Sequence, residues 1–173
     1  MIRRSALVLT GAGGLLALRP ALAQQAAGSA TGMSPDQVRQ MALGGMAFAL
    51  ATSQIALQRA ENATVKTFAQ LEAEEQQAFA QARQMAGLPV PSPSMMDAQK
   101  QQMVQQLQSL SGGQFDRMYI QGQTTGHQEL LQLHQAMAQS GGTREERMLG
   151  TVAVPAIKSH LAMLQGIQQQ MRG

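Results

Sequence analysis

The sequence predicts an all-α protein, a bundle of four main helices with an additional short helix. The chain is rich in Ala, Gln, Met and Leu, which lose little rotamer freedom in helices, and it has one Tyr and no Trp. Capping signals precede several stretches in which apolar residues recur at helical spacing. The chain length and its 44% of hydrophobic residues fit one domain with one core.

The amino terminus, MIRRSALVLTGAGGLLALRPALAQQ, is typical of a secretory signal peptide. Two arginines precede an apolar run that is too short to be a good membrane span, and an Ala-Leu-Ala cleavage site follows. We expect residues 1–23 to be a signal peptide cleaved after Ala23, residues 24–33 a disordered leader, and residues 34–173 the helical domain. The protein is therefore expected in the periplasm, with twin-arginine (Tat) export and ordinary (Sec) secretion both open.

Removal of the signal peptide changes the charge balance of the chain. Three of the thirteen basic residues lie in the signal, so the mature protein carries ten basic and ten acidic residues. A neutral chain without a basic stripe argues against a nucleic-acid partner. The absence of cysteine excludes disulfides, thiolate metal sites and thiol catalysis. We expect no transmembrane segment after signal cleavage, and binding to a protein partner or to a second copy stays open.

The first two helices are predicted at about residues 35 to 60 and 63 to 86. The first begins at Ser34-Pro35-Asp36-Gln37, which supplies a cap, a proline at the first helical position and a capping-box glutamine. Its surface is apolar over most of its circumference, which is typical of the central helix of a bundle. Gly87 and the proline-rich connection that follows it end the second helix.

The remaining three helices are predicted at about residues 95 to 111, 114 to 140 and 144 to 171. Further capping pairs precede two of them: Ser94 with Asp97, and Thr143 with Glu146. Pro155 lies inside the last helix and is expected to kink or interrupt it near Val154, because proline has no N–H for the helical hydrogen bond.

The stretch FDRMYIQGQTTGHQELLQLH places two histidines on the fourth predicted helix. At about 100° per residue, Asp116, Gln123, His127 and His134 fall on one stripe along the edge of its apolar face. His127 and His134 are two turns apart, about 10 Å along the axis, so one ion cannot bind both from one straight helix. They are either polar flank residues that bond water and neighbouring helices, or ligands that need partners on another helix.

The second predicted helix carries two acidic residues on its apolar face. Glu72 and Glu75 fall between apolar positions such as Phe68, and buried carboxylates are costly unless a cation, a metal or a proton neutralises them. His160 shares the apolar face of the last helix and is the best internal partner, followed by His127, Arg117 and Lys158. Three interpretations stay open: a buried Glu and His hydrogen-bond network, a metal site formed by Glu72, Glu75, His127 and His160, and exposure of both glutamates at a loose interface.

A metal site of this composition would use iron, manganese or zinc, because carboxylate-rich bundles build such sites. The Glu-x-x-His pattern that recurs in those bundles is absent from this chain. The methionines recur mostly at helical spacing and are expected to fill the core rather than to bind copper. Nucleophile, phosphate-loop and zinc-protease motifs are missing, so we expect no enzymatic activity.

Three ordered blocks resemble a bacterial family: ATSQIALQRAENATVKTFAQLEAEEQQAF, LSGGQFDRMYIQGQTTGHQELLQLH and VAVPAIKSHLAML. Through these blocks, from about residue 45 to 165, the chain is similar to the domain of unknown function 4142 family, whose members are often labelled predicted outer membrane or periplasmic proteins. The resemblance implies a ferritin-like helical bundle whose biochemical function is not established, and a ferritin-like fold does not imply ferroxidase activity.

The resemblance also relates single positions of this chain to family patterns. The matching positions are Val65, Lys66, Phe68 and Ala69; Phe115, Asp116, Tyr119 and His127; and Pro155, His160 and Leu161. An Asp-His pair of the family becomes Glu75 and Gln76 here, which removes one histidine from any metal site that the resemblance implies.

These observations together predict an exported, periplasmic helical bundle without enzymatic activity. The first alternative is a ferritin-like metal-binding protein with a carboxylate and histidine site between helices. The second alternative is a periplasmic interaction or chaperone-like module.

Overall fold

The computed structural model describes residue 30 and residues 32–172, and this part of the chain forms helices without a β-strand. Its α-helices are α1 (Pro35–Arg59), α2 (Ala63–Met85), α3 (Ala98–Ser109), α4 (Gly112–Ser140) and α5 (Arg144–Gln170). The all-α prediction is confirmed, and the helix bounds lie within about three residues of the predicted ones. The predicted signal peptide and nearly all of the predicted leader lie outside the described residues.

The first and last helices begin at the predicted caps. The Ser34 hydroxyl accepts a hydrogen bond from the Gln37 backbone N–H at 3.3 Å, and the Gln37 side chain accepts one from the Ser34 N–H at 2.9 Å. Thr143 and Glu146 form the same reciprocal pair at the start of α5. These bonds satisfy backbone donors that the first helical turn leaves free.

The third helix begins later than the sequence predicts. It starts at Ala98, where the Asp97 carboxylate accepts a hydrogen bond from the Lys100 N–H at 2.8 Å. Ser94 lies before the helix, in a 3₁₀ turn over Pro93–Met95. The predicted pairing of Ser94 with Asp97 as a capping box is therefore wrong, because Asp97 itself occupies the cap position.

α1 lies at the centre of the bundle and runs antiparallel to α4. Val38 packs with Met137 near one end, and the Ser53 and Tyr119 hydroxyl oxygens lie 2.8 Å apart towards the other. By length and mean hydropathy, 1.2 over 18 residues, α1 could cross a membrane, but 61% of that window is buried inside the protein. Burial of this kind is typical of a core helix.

α2 and α4 run in the same direction because the chain between them crosses the length of the bundle. Phe68 packs beside Tyr119 and Phe79 beside His134, so residues further along α2 meet residues further along α4. α3 belongs to this crossover and contributes the fully buried Leu107 to the core. One long crossover also occurs in ferritin-like folds, but the ferritin-like label stays a prediction.

α5 runs antiparallel to α4 and closes the bundle. Gly150 lies against the backbone of His134, and the Gln168 amide donates to the Thr124 hydroxyl at 3.0 Å. Pro155 lies inside α5, which is nevertheless continuous from Arg144 to Gln170. The expected interruption near Val154 is therefore not seen, and the expected kink stays a prediction.

Two glycines of α5 test how tightly this helix packs on α4. A Cβ on Gly150 would lie 2.8 Å from the Ala138 nitrogen and 2.9 Å from the His134 oxygen, both backbone atoms, whereas one on Gly166 would meet no atom within 4 Å. We expect Gly150→Ala to lower the free energy of unfolding by ~1–3 kcal/mol because the two helices must separate. Gly166→Ala should raise it by up to ~1 kcal/mol through helix propensity. Urea unfolding followed by circular dichroism measures both, and a stabilising Gly150→Ala would contradict the close contact.

Candidate metal centre

Three side chains from three helices meet in the core of the bundle. They are Glu72 of α2, His127 of α4 and His160 of α5, with relative exposures of 0%, 1% and 7%. Glu72 Oε2 lies 2.8 Å from His160 Nδ1 and 3.2 Å from His127 Nε2, and the two nitrogens are 3.2 Å apart. Within the described residues, this is the group of acidic and histidine side chains whose ligand atoms are close enough to share one ion.

Helical periodicity turns these three side chains inward. Glu72 lies one turn after the fully buried Phe68, and His127 and His160 each lie one turn before a buried leucine. Residues three or four positions apart share a helix face, so each polar group is carried into the core by its apolar neighbours. The three faces then meet because α2, α4 and α5 are packed around one interior.

The outer nitrogen of each imidazole is held by an oxygen acceptor. His127 Nδ1 lies 2.8 Å from the Gln123 carbonyl oxygen, which can only accept, so Nδ1 carries the hydrogen. His160 Nε2 lies 3.3 Å from Glu75 Oε2 on the other side of the ring. In the singly protonated rings, His127 Nε2 and His160 Nδ1 therefore direct lone pairs at the centre. Metal-binding histidines have this arrangement, with the second ring N–H donating to a carbonyl or carboxylate.

Gln76 holds the remaining oxygen of the buried carboxylate. Its side-chain amide donates to Glu72 Oε1 at 2.9 Å, which leaves Glu72 Oε2 facing the two histidines. Gln76 is 8% exposed, and its own Oε1 is buried without a hydrogen-bond partner among the described residues. Position 76 therefore borders the buried carboxylate directly.

Burial and pairing set the charges of the cluster. Burial raises the pKa of Glu72, but hydrogen bonds and charge interactions with His127 and His160 outweigh it and lower this pKa to about 2. Burial lowers the pKa of His160, but Glu72 and Glu75 on the two sides of the ring raise it to about 10. At neutral pH the metal-free cluster thus contains a Glu72 carboxylate in contact with a His160 imidazolium.

Aromatic side chains form a wall beside the cluster. The Phe68 ring centroid lies 6.1 Å from that of His127 and 5.7 Å from that of His160. Tyr119 packs on Phe68, and burial raises its pKa, so that the phenol stays protonated and bonded to Ser53. Such a wall keeps water away and strengthens the electrostatic interactions inside.

The structure brings together all four residues of the predicted site, but it gives them different positions. Glu75 contacts the edge of His160 opposite Glu72, its side chain is 30% exposed, and it lies outside the group of three convergent ligand atoms. The interpretation that both glutamates are exposed at a loose interface is wrong for Glu72, which is 0% exposed. Of the contacts expected for a flank residue, His127 makes those with neighbouring helices rather than with water, because α2 and α5 cover that edge of α4.

Other polar residues singled out in the fourth helix do not join the cluster. His134 is buried beside Phe79, and burial together with the Arg83 charge lowers its pKa to about 4, which keeps it neutral. Asp116 accepts hydrogen bonds from the backbone N–H groups of Glu61 and Asn62 at 3.3 and 2.9 Å. Asp116 therefore fixes the connection between α1 and α2.

Two glutamines orient the cluster, and neither was assigned this role from the sequence. The Gln76 side chain follows Glu72 by four residues and lies on the same face of α2. Gln123 acts through its backbone carbonyl, which any residue at position 123 would offer to His127. The spacing of Gln76 from Glu72 was a usable signal, but it was hidden by the abundance of glutamine on the solvent faces of the same helices.

The charges of the cluster predict a pH dependence for the metal-free protein. The folded-state pKa of His160, about 10, is above its ordinary value of 6.5, so the stability it contributes is fully present below pH 6.5 and is lost as the pH rises towards 10. We expect the stability advantage of the wild-type protein over His160→Gln to shrink by at least ~1 kcal/mol between pH 7 and pH 10. Urea unfolding in the presence of a chelator measures this difference. An advantage that stays constant or grows over this range would contradict the charge assignment.

The fold of this chain is similar to that of a solved structure. The crystal structure of a DUF305 fragment from Deinococcus radiodurans matches it with a TM-score of 0.64 and 18% sequence identity, over 79% of this chain and 97% of that fragment. At this identity, the similarity shows the fold alone. A comparison with curated proteins gives no match.

The sequence model of one family matches residues 19–167, which include the three convergent residues and both glutamines that orient them. Its description is domain of unknown function (DUF4142), in agreement with the resemblance found in the three sequence blocks. The chain belongs to the DUF4142 family.

Proposed function

We propose that this protein binds one first-row divalent metal ion, such as Zn²⁺, Fe²⁺ or Mn²⁺, through Glu72, His127 and His160. The observation that carries the proposal is the convergence of three ligand atoms from three helices, all within 3.2 Å of one another. Both rings also have their outer nitrogens bonded to oxygen acceptors, as histidine ligands do.

A hydrogen-bond network satisfies these atoms less completely than a metal ion does. Because His127 Nδ1 donates to the Gln123 carbonyl, Nε2 can donate to Glu72 Oε2 at 3.2 Å only from a doubly protonated ring, and in a singly protonated ring the two atoms are both acceptors. The hydrogen on His160 Nδ1 must then serve both of them. A divalent cation interacts favourably with all three atoms at once and replaces that hydrogen, so metal binding releases a proton.

The spacing of the ligand atoms fits one ion of this class. Atoms bound at about 2.1 Å to a tetrahedral ion lie about 3.4 Å apart. The three distances here are 2.8, 3.2 and 3.2 Å, so outward movements of a few tenths of an ångström suffice. Three protein ligands leave one coordination position for a further ligand.

The ligand types also favour this class of ion. Two imidazoles with one carboxylate form the His₂Glu set of several zinc sites and the two-histidine, one-carboxylate set of non-haem iron sites. Ca²⁺ and Mg²⁺ prefer oxygen ligands and would gain little from two imidazoles.

We further propose that the ion is held rather than used in catalysis. The ligands are nearly inaccessible to solvent, and a cavity of about 10 Å³ in the described part of the chain lies elsewhere, beside Arg39, Met137 and Glu146. A cavity of this size holds about one water molecule and no organic substrate. Turnover of hydrogen peroxide by the metal-loaded protein would contradict this part of the proposal.

Export to the periplasm is the second part of the proposed role. The features of residues 1–23 support it, since paired arginines, an apolar run and an Ala-Leu-Ala cleavage site occur in the order of a signal peptide. Protein isolated from the periplasmic fraction should begin at Gln24, and a chain that still begins at Met1 would contradict it.

Metal stoichiometry tests the proposed site directly. The chelator-stripped protein is expected to retain about one equivalent of Zn²⁺ after loading and dialysis, measured by elemental analysis. Glu72→Gln and His160→Gln keep the approximate size of each side chain but remove a ligand, so the affinity should fall by at least ~100-fold in a competition with a chromophoric chelator.

His134→Gln is the matched control for these variants. It removes another buried histidine of α4 that lies outside the cluster, so its Zn²⁺ affinity should equal that of the wild-type protein. Circular dichroism establishes that each variant is folded. Less than a tenth of an equivalent of bound Zn²⁺ in the wild-type protein would rule out the assigned site. A loss of Zn²⁺ affinity in His134→Gln as large as that in His160→Gln would also rule it out.

A further inference from the structure

A metal ion can reach this buried cluster most directly from the side of α5. Glu72 and His127 are 0% and 1% exposed, while His160 is 7% exposed. Beyond His160 lies Glu75, whose side chain is 30% exposed and whose Oε2 is 3.3 Å from His160 Nε2. The cluster therefore meets solvent at Glu75 and His160, a place between two helices that we call the α2/α5 seam.

Helix geometry explains why Glu75 lies at this seam. A step of three residues from Glu72 rotates the side chain by about 60° around α2, from the interior towards its edge. α2 also packs much less extensively on α5 than on α1. The protein wall between solvent and the cluster is therefore thin at Glu75.

Glu75 contacts His160 through Oε2, which leaves its other carboxylate oxygen for a cation from solvent. Within the described residues, the ion-pair contact of Glu75 is with His160, and neither a lysine nor an arginine lies within ion-pair distance of it. Other acidic residues differ in this respect, because the half-buried Glu129 is paired with Lys100 and the buried Glu146 with Arg39.

We propose that Glu75 captures the hydrated metal ion at the α2/α5 seam and passes it to Glu72, His127 and His160. This inference rests on the proposed metal-binding function. One Glu75 oxygen holds the His160 ring in the orientation that the site needs, and the other meets the incoming cation. Glu75 is thus a capture and positioning residue, and it is not one of the three ligands of the final site.

Substitutions separate the capture of the ion from the positioning of the ring. Glu75→Gln removes the charge but keeps an oxygen that can accept the hydrogen bond from His160 Nε2. Glu75→Ala removes both. If Glu75 captures the ion through its charge, the association rate of the metal ion falls in both variants. If Glu75 only positions the ring, the metal ion dissociates faster from Glu75→Ala, and both rates are nearly unchanged in Glu75→Gln.

Glu74→Gln is the matched control, because it makes the same change of net charge one residue away. Glu74 is exposed and hydrogen-bonded to Gln70 on its own helix, and it makes no contact with the cluster. An effect of overall charge alone would be the same in Glu74→Gln and Glu75→Gln.

Stopped-flow uptake of Zn²⁺ by the stripped full-length mature protein, at low and at high ionic strength, tests the inference. We expect Glu75→Gln to bind Zn²⁺ about fivefold or more slowly at low salt, Glu74→Gln to bind at the wild-type rate, and the difference to shrink at high salt. Equal association rates in the two variants would overturn the capture role while leaving the metal site intact. A wild-type protein that takes up no Zn²⁺ would instead overturn the proposed function itself.

Discussion

A carboxylate without access to water lies where three helices of this bundle meet. Glu72 is fully buried, and an unpaired charge in such a place costs several kcal/mol, so the interior must supply its compensation. Gln76 on α2 donates to one carboxylate oxygen, and His127 on α4 and His160 on α5 contact the other. The contact therefore fixes the register of the three helices, because a shift of α5 by one turn, about 5.4 Å, would leave the carboxylate without its shortest partner.

Stability alone does not account for the cluster. Well-packed apolar side chains of similar volume are often as stabilising as a buried ion pair, or more so, whereas a site for a cation requires charge and lone pairs at one point. The orientation of both rings by Gln123 and Glu75, and of the carboxylate by Gln76, fits the second explanation. The three convergent atoms are complete without a ligand from position 76.

Much of the fold could be predicted from local signals, whereas the geometry of the site depended on contacts between helices. Caps such as Ser34 and Thr143 set helix starts through bonds to their own helix, so the sequence contains what is needed to place them. The position of Glu72 on an apolar helix face could also be predicted, because this pattern depends on the sequence of α2 alone. A helical projection of α4 alone put His127 at the edge of the apolar face, because the projection does not include the helices that cover this edge. The different positions of Glu72 and Glu75 likewise depend on where α5 lies.

The coordination environment of the bound metal tests the central claim most directly. X-ray absorption spectroscopy of the Zn²⁺-loaded protein reports the nearest atoms and the imidazole rings behind them. The account predicts nitrogen and oxygen neighbours at about 2.0–2.2 Å, with outer-shell scattering from two imidazoles. In His160→Gln, the scattering from one of these two imidazoles should be lost. A sulfur neighbour at about 2.3 Å, or a shell of oxygen atoms without imidazole scattering, would contradict it.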